Sequence, residues 1–140
     1  MELGMAANVD KALVHQVKNN AGVIALISSR FYAVNLPQTV TLPAAVYQSI
    51  SGKLIKEHGV VTSLPTPRYQ ITCWSNQFDD VVELDIAIKA AIDGKRGTWG
   101  TGTYVTMIQR CQAESVPRHD RDPVTGLYWL SRDYLIMWTE

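Results

Sequence analysis

In the segment "RHDRD" an imidazole, His119, stands beside two carboxylates, Asp120 and Asp122. Histidine titrates near neutral pH, and a carboxylate can orient it or share a metal ion with it. The trio is therefore a candidate for general acid-base chemistry in a small hydrolase or nuclease. The competing explanation is a solvated turn. No second histidine or carboxylate cluster stands at a definable spacing, since His15 falls within an early helical stretch and His58 within a long connection. The turn is the better explanation of these residues.

A second suggestive stretch, "GKRGTWGTG" from Gly94, offers glycines and two cations, the ingredients of a phosphate cradle. Phosphate loops leave a strand and open a helix whose N-terminal amides hold the anion. This stretch follows a helical pattern and enters a strand, so it reads as a flexible surface loop. Its Lys95 and Arg96 are candidates to face a channel or passing DNA, and Trp99 to contact a protein partner. Nucleophile-elbow, zincin and P-loop motifs are all missing. Cys73 and Cys111 lie far apart in sequence, each within an apparent strand and without a Cys or His at metal-ligand spacing. That pattern marks them as reduced, buried apolar residues. No catalytic, cofactor-binding or metal-ligating residues are assigned, and the chain is expected not to be an enzyme.

The elements that carry these residues follow from hydrophobic period. Val9, Leu13, Val14 and Val17 recur at helical spacing from Val9 to about Asn19, with Asn8 as the expected cap. The stretch "NNAGVIALISSR" continues as a short second helical segment after a break near Gly22. "AAVYQSIS" and "RYQITCWS" read as strands. In the second, Tyr69, Ile71 and Cys73 alternate with Arg68, Gln70, Thr72 and Trp74, which gives one wetter face. Between them, residues 52–66 are too long for a tight hairpin and too apolar for a solvated tether, and are expected to project as a loop or arm. "DDVVELDIAIKAAIDG" places Val81, Leu84, Ile88 and Ala91 on one stripe, with Ser75 or Asn76 as cap and Gly94 past the end. A third strand runs from about Thr103 to Ala113, and "SVPRHDRDPVTG" turns the chain into a fourth. The order α-β-β-α-β-β predicts a single α+β domain over residues 1–140, a four-stranded, mainly antiparallel sheet with two main helices on one face.

The fourth strand, "GLYWLSRDYLIMW", is apolar on both sides. A period of two puts Tyr128, Leu130, Tyr134, Ile136 and Trp138 on one side and Leu127, Trp129, Leu135 and Met137 on the other. Strands about 4.8 Å apart give a four-stranded sheet about 19 Å wide, which two helices about 10 Å across cover once. The more continuous run, containing Tyr134 and Ile136, is assigned to the helices, although Arg132 shares it. The other side is left for water or another molecule, and Trp129, Leu135 and Met137 favour a molecule. Together with Lys53, Leu54, Ile55, Val60 and Val61 of the arm, and with Trp99, they form the expected subunit or partner interface.

Composition narrows the partners. Lys plus Arg number 13 and Asp plus Glu number 13, so no overall field draws the chain to nucleic acid or to an anionic membrane. The longest aliphatic run, Ala21 to Ile27, is far shorter than the roughly 20 apolar residues of a membrane span. The start "MELGMAANVD" lacks the pattern of a secretory signal, which predicts synthesis in the cytoplasm.

In their order and spacing, "SRFYAVNLPQTVTLPAAVYQSISG", "RYQITCWSNQFDDVVELDIAIKAAIDG" and "DPVTGLYWLSRDYLIMW" resemble the tail completion, tail-terminator-like proteins of tailed bacteriophages. The resemblance runs from about Val9 to Trp138. It is carried by Arg30, Tyr32, the strand from Pro43 to Gly52, Trp74, the helix ending at Gly94 and the turn from Asp122 to Gly126. It implies a homo-oligomeric subunit of the virion, assembled in the host cytoplasm as a hexameric ring at the head-proximal end of the tail. Such a ring stops tail tube polymerisation and offers the surface to which the head attaches. The implied partners are the tail tube protein and a head completion or connector protein, with DNA only passing through the channel and no membrane. A head-completion or minor tail role at the same junction is the neighbouring alternative. The family brings no active-site motif, and Trp129 and Leu135 stand where its outward face is expected to be wetter.

Overall fold

The computed structural model describes residues 2–51, 56–57, 60–61, 68–100, 106–113 and 116–139. Its first elements are α1 (Glu2–Lys18), α2 (Ala21–Ile27), β1 (Phe31–Ala33), β2 (Ala44–Ser51), β3 (Lys56–Glu57) and β4 (Val60–Val61). There follow β5 (Arg68–Ser75), α3 (Phe78–Ile92), β6 (Gly97–Trp99), β7 (Thr106–Ala113), β8 (Arg118–Arg121) and β9 (Tyr128–Thr139). The architecture is α+β as expected, but the sheet is larger than four strands. Its spatial order is β1-β2-β5-β9-β7-β6, β8 pairs with β9 off that path, and β3 and β4 form a separate two-stranded ladder. The four long strands are those the sequence predicts. The added ones are short: β1 lies parallel to β2 at one edge, β6 antiparallel to β7 at the other, and β8 antiparallel to β9. Segments of three or four residues hold too few alternations to leave a period; ladder hydrogen bonds to their neighbours make them strands.

The 12-residue β9 is the centre of the sheet. It pairs with β5 from Tyr128 to Leu135 on one side, and on the other with β8 from Tyr128 to Ser131 and then with β7 from Tyr134 onward. A strand paired along both edges has its backbone buried, and β9 is the most apolar of the four long strands.

Three helix boundaries differ from the expected ones. The first helix passes through Asn8, because Met5, Ala6 and Ala7 are good helix formers that extend it back to Glu2. The break before α2 falls ahead of Gly22, where Asn20 caps the new helix by accepting the Val23 N–H at 3.2 Å. The third helix is entered through Gln77, while Ser75 Oγ accepts the Gln77 N–H at 3.3 Å and donates to Asp80 at 3.0 Å. At its far end Asp93 accepts the Ala113 N–H at 2.8 Å, and Gly94, with φ of 74°, donates to the Cys111 carbonyl at 2.8 Å. These two bonds pin the end of α3 to β7.

One core lies between the helices and one sheet face. It joins Leu13, Val17, Leu84 and Ile88 of α1 and α3 to Ile71, Cys73, Leu130 and Ile136 of the strands. The side of β9 assigned to the helices is the side they cover, and Arg132 fits there because α3 supplies its partner. Its Nε donates to Asp85 Oδ1 at 3.0 Å and its Nη2 to Asp85 Oδ2 at 2.8 Å. The two side chains are only 13% and 8% exposed. The hydrogen bond to Asp85 raises the Arg132 pKa further above its ordinary value, against the opposing pull of burial.

Candidate functional site

The opposite face of the sheet carries the candidate interface. Strand register gives its rows: Ala44, Trp74, Trp129 and Asp120; then Val46, Thr72, Ser131 and Arg118; then Gln48, Gln70 and Asp133. A further row joins Arg68, Leu135 and Gln112, and Met137 stands opposite Arg110. Trp74, Trp129, Leu135 and Met137 are half-buried. Polar groups between them are tied to one another: Thr72 donates to Ser131 at 3.2 Å, and Asp133 lies 3.6 Å from Arg68 and 3.9 Å from Arg118.

The expectation that nothing in the chain reaches this face is corrected at one end. Val34, Leu36, Pro37 and Val40, from the segment between β1 and β2, line a concavity of about 430 Å³ together with Val46, Thr72, Trp74 and Leu127. Val46 is therefore only 7% exposed although its register turns it away from the helices. The entry to this segment is fixed by Arg30, which donates through Nε to the Pro43 carbonyl at 3.0 Å and through Nη2 to the Leu26 carbonyl at 3.4 Å. Arg30 thus has a structural task. Neither the segment nor the pairing of Trp74 with Trp129 was signalled by the sequence, because cross-strand register is not written in either strand alone.

The other expected contact residues fall in three places. Trp99 is corrected: pairing of β6 with β7 turns it into the core beside α1, where it is 3% exposed, so it packs the subunit instead of offering a contact. Lys53, Leu54 and Ile55 lie outside the described residues. Val60 and Val61 form β4, opposite Glu57 and Lys56, in the ladder apart from the main sheet. Lys95 and Arg96 are exposed and line, with Arg110, a second concavity of about 390 Å³ at the end of α3.

The acid-base trio has local duties. His119, on the exposed strand β8, sets its ring edge-on to Phe78 at 5.1 Å. Asp120 accepts the Arg121 N–H at 2.7 Å, and Asp122 accepts the Val124 N–H at 2.9 Å in a turn closed by Gly126, whose φ is 75°. His15 belongs to the last turn of α1. Among the described residues, no three His, Cys, Asp or Glu side chains are grouped to hold a metal ion. Both cysteines are free and buried; burial pushes the Cys73 thiol well up and the Cys111 thiol up to about 12, so neither is a nucleophile at neutral pH. Among the described residues no helix is long and apolar enough to cross a membrane.

A family model, tail completion protein gp17, matches residues 11–137. The chain belongs to this family. It is a structural protein of bacteriophage tails, and the two-faced sheet is to be understood in that setting. A solved structure described as the virion of a native gene transfer agent particle contains a chain of the same fold. The TM-score is 0.71 at 11% identity, over 96% of this chain and 96% of that one. No curated protein sequence matches.

Proposed function

We propose that this tail completion protein forms a closed ring at the head-proximal end of a phage tail, where it ends polymerisation of the tail tube and presents the surface that the filled head joins. The observation that carries this is the family match across residues 11–137, nearly the whole chain. The open sheet face supports it. A closed ring of head-to-tail contacts needs two different patches on every subunit. Trp129, Leu135 and Met137 supply one, and the arm of residues 52–66, with Lys53, Leu54, Ile55, Val60 and Val61, supplies the other. The ring is hexameric in this reading, sits in the virion at the head-tail junction after assembly in the host cytoplasm, and contacts the tail tube protein on one side and a head completion or connector protein on the other. The similar chain in a gene transfer agent virion supports a place in such a particle.

Electron microscopy of particles made without the protein tests this. Overlong tails are expected. Unattached tails of normal length would move the role from termination to head joining, and normal attached tails would overturn both. Light scattering of the purified chain, alone and with tube ends, is expected to detect a ring-sized species in at least one case.

A further inference from the structure

We propose that Lys95, Arg96 and Arg110 form a contact for the phosphate backbone of duplex DNA, a role that rests on the tail reading because DNA must then pass the protein. The three side chains are exposed and line one concavity between the end of α3 and β7. The carboxylate beside them, Asp93, is already engaged. One oxygen accepts the Ala113 N–H at 2.8 Å and the other lies 3.9 Å from Lys89. The patch is thus positive within a chain whose formal net charge is zero. The C-terminal end of a helix carries only about half an elementary negative charge, so three cations exceed what the α3 dipole accommodates.

The rest of the lining decides the partner. It is Gly94, Gln109, Gln112 and the buried Cys111, with no aromatic or aliphatic anchor. Stable protein interfaces are held by such anchors. Flexible cations with neighbouring amides and no apolar centre make instead a wet, sequence-independent contact, suited to a polyanion that slides past. Duplex DNA presents that polyanion.

The test is an amide-shift titration of the isotopically labelled full chain with a short duplex of random sequence. Shifts are expected at residues 93–96 and 109–112. Three phosphate contacts give a salt slope of about −2.7, so a tenfold rise in salt weakens binding by about 500-fold. Lys95→Gln, Arg96→Gln and Arg110→Gln combined should abolish the shifts, while Lys95→Arg, Arg96→Lys and Arg110→Lys combined should keep them. Absence of shifts, shifts centred elsewhere, or undiminished binding by the glutamine variant would overturn the proposal. Equal binding of polyglutamate would replace DNA with an acidic protein partner and so overturn it too. The titration needs no ring, so its failure leaves the ring reading standing, and tail lengths judge that reading separately.

Discussion

The two faces of the sheet alternate along the same strands, yet they obey different rules. On the helix side, Cys73 faces Leu130 across the ladder, Tyr69 faces Tyr134 and Cys111 faces Ile136, all buried. The charged pair admitted there, Arg132 with Asp85, is bidentate. On the open side, the Trp74 and Trp129 pair is followed by the hydroxyls of Thr72 and Ser131, and then by Asp133 among arginines. Burial within one subunit selects shape and rejects unpaired charge. In the proposed ring the open side meets water first and a neighbour later, and such a surface keeps its apolar anchors half-buried among polar residues. The difference also appears in titration. Burial is the first cause of the raised pKa values of Tyr47, Tyr69, Cys73, Cys111 and Tyr134, and the register places all five on the helix side.

The largest expected effect breaks the covered face. Arg132→Met alone strands the Asp85 carboxylate, and urea unfolding should record a loss of about 3–5 kcal/mol. Adding Asp85→Leu should restore most of it; no recovery would mean that Arg132 acts through something besides this pair. The next compares chain neighbours on opposite faces. Ile136→Ala should cost about 2–5 kcal/mol and the half-buried Leu135→Ala less than about 1 kcal/mol, so equal costs would erase the distinction between faces.

The smallest effect appears with pH. A thiol or phenol whose folded pKa is raised contributes stability that is complete below its unfolded pKa and is lost as pH climbs toward the folded one. The ordinary values here are 9.0 for the thiols and 10.0 for the phenols. Thermal midpoints should therefore hold near neutrality and decline above about pH 9. Tyr134→Phe should flatten the decline with no loss at neutral pH, because among the described residues none hydrogen-bonds the buried Tyr134 hydroxyl. A decline of unchanged steepness would remove Tyr134 from its causes.

Much of the covered face was legible in the sequence. Tyr69, Ile71 and Cys73 alternate cleanly, and Val81, Leu84, Ile88 and Ala91 keep the helical period, since burial on one side enforces both patterns. Trp99 was misplaced because β6 has only three residues, opening on Gly97 and followed by Gly100, and only the ladder to β7 reveals which way the side chain turns. The role of the segment lined by Leu36, Pro37 and Val40 was hidden for another reason. An irregular segment has no period, and the face it reaches is built by strands that follow it in the chain. The apolar excess of Trp129, Leu135 and Met137 was visible, but the polar ties that lie among it join residues of different strands.

Hydroxyl-radical footprinting of Trp129, Leu135 and Met137, in the free subunit and in assembled tails, examines the open face most directly. Their oxidation should fall several-fold on assembly, as a neighbouring subunit covers them. Equal oxidation in free and assembled protein would contradict a role for this face in the ring.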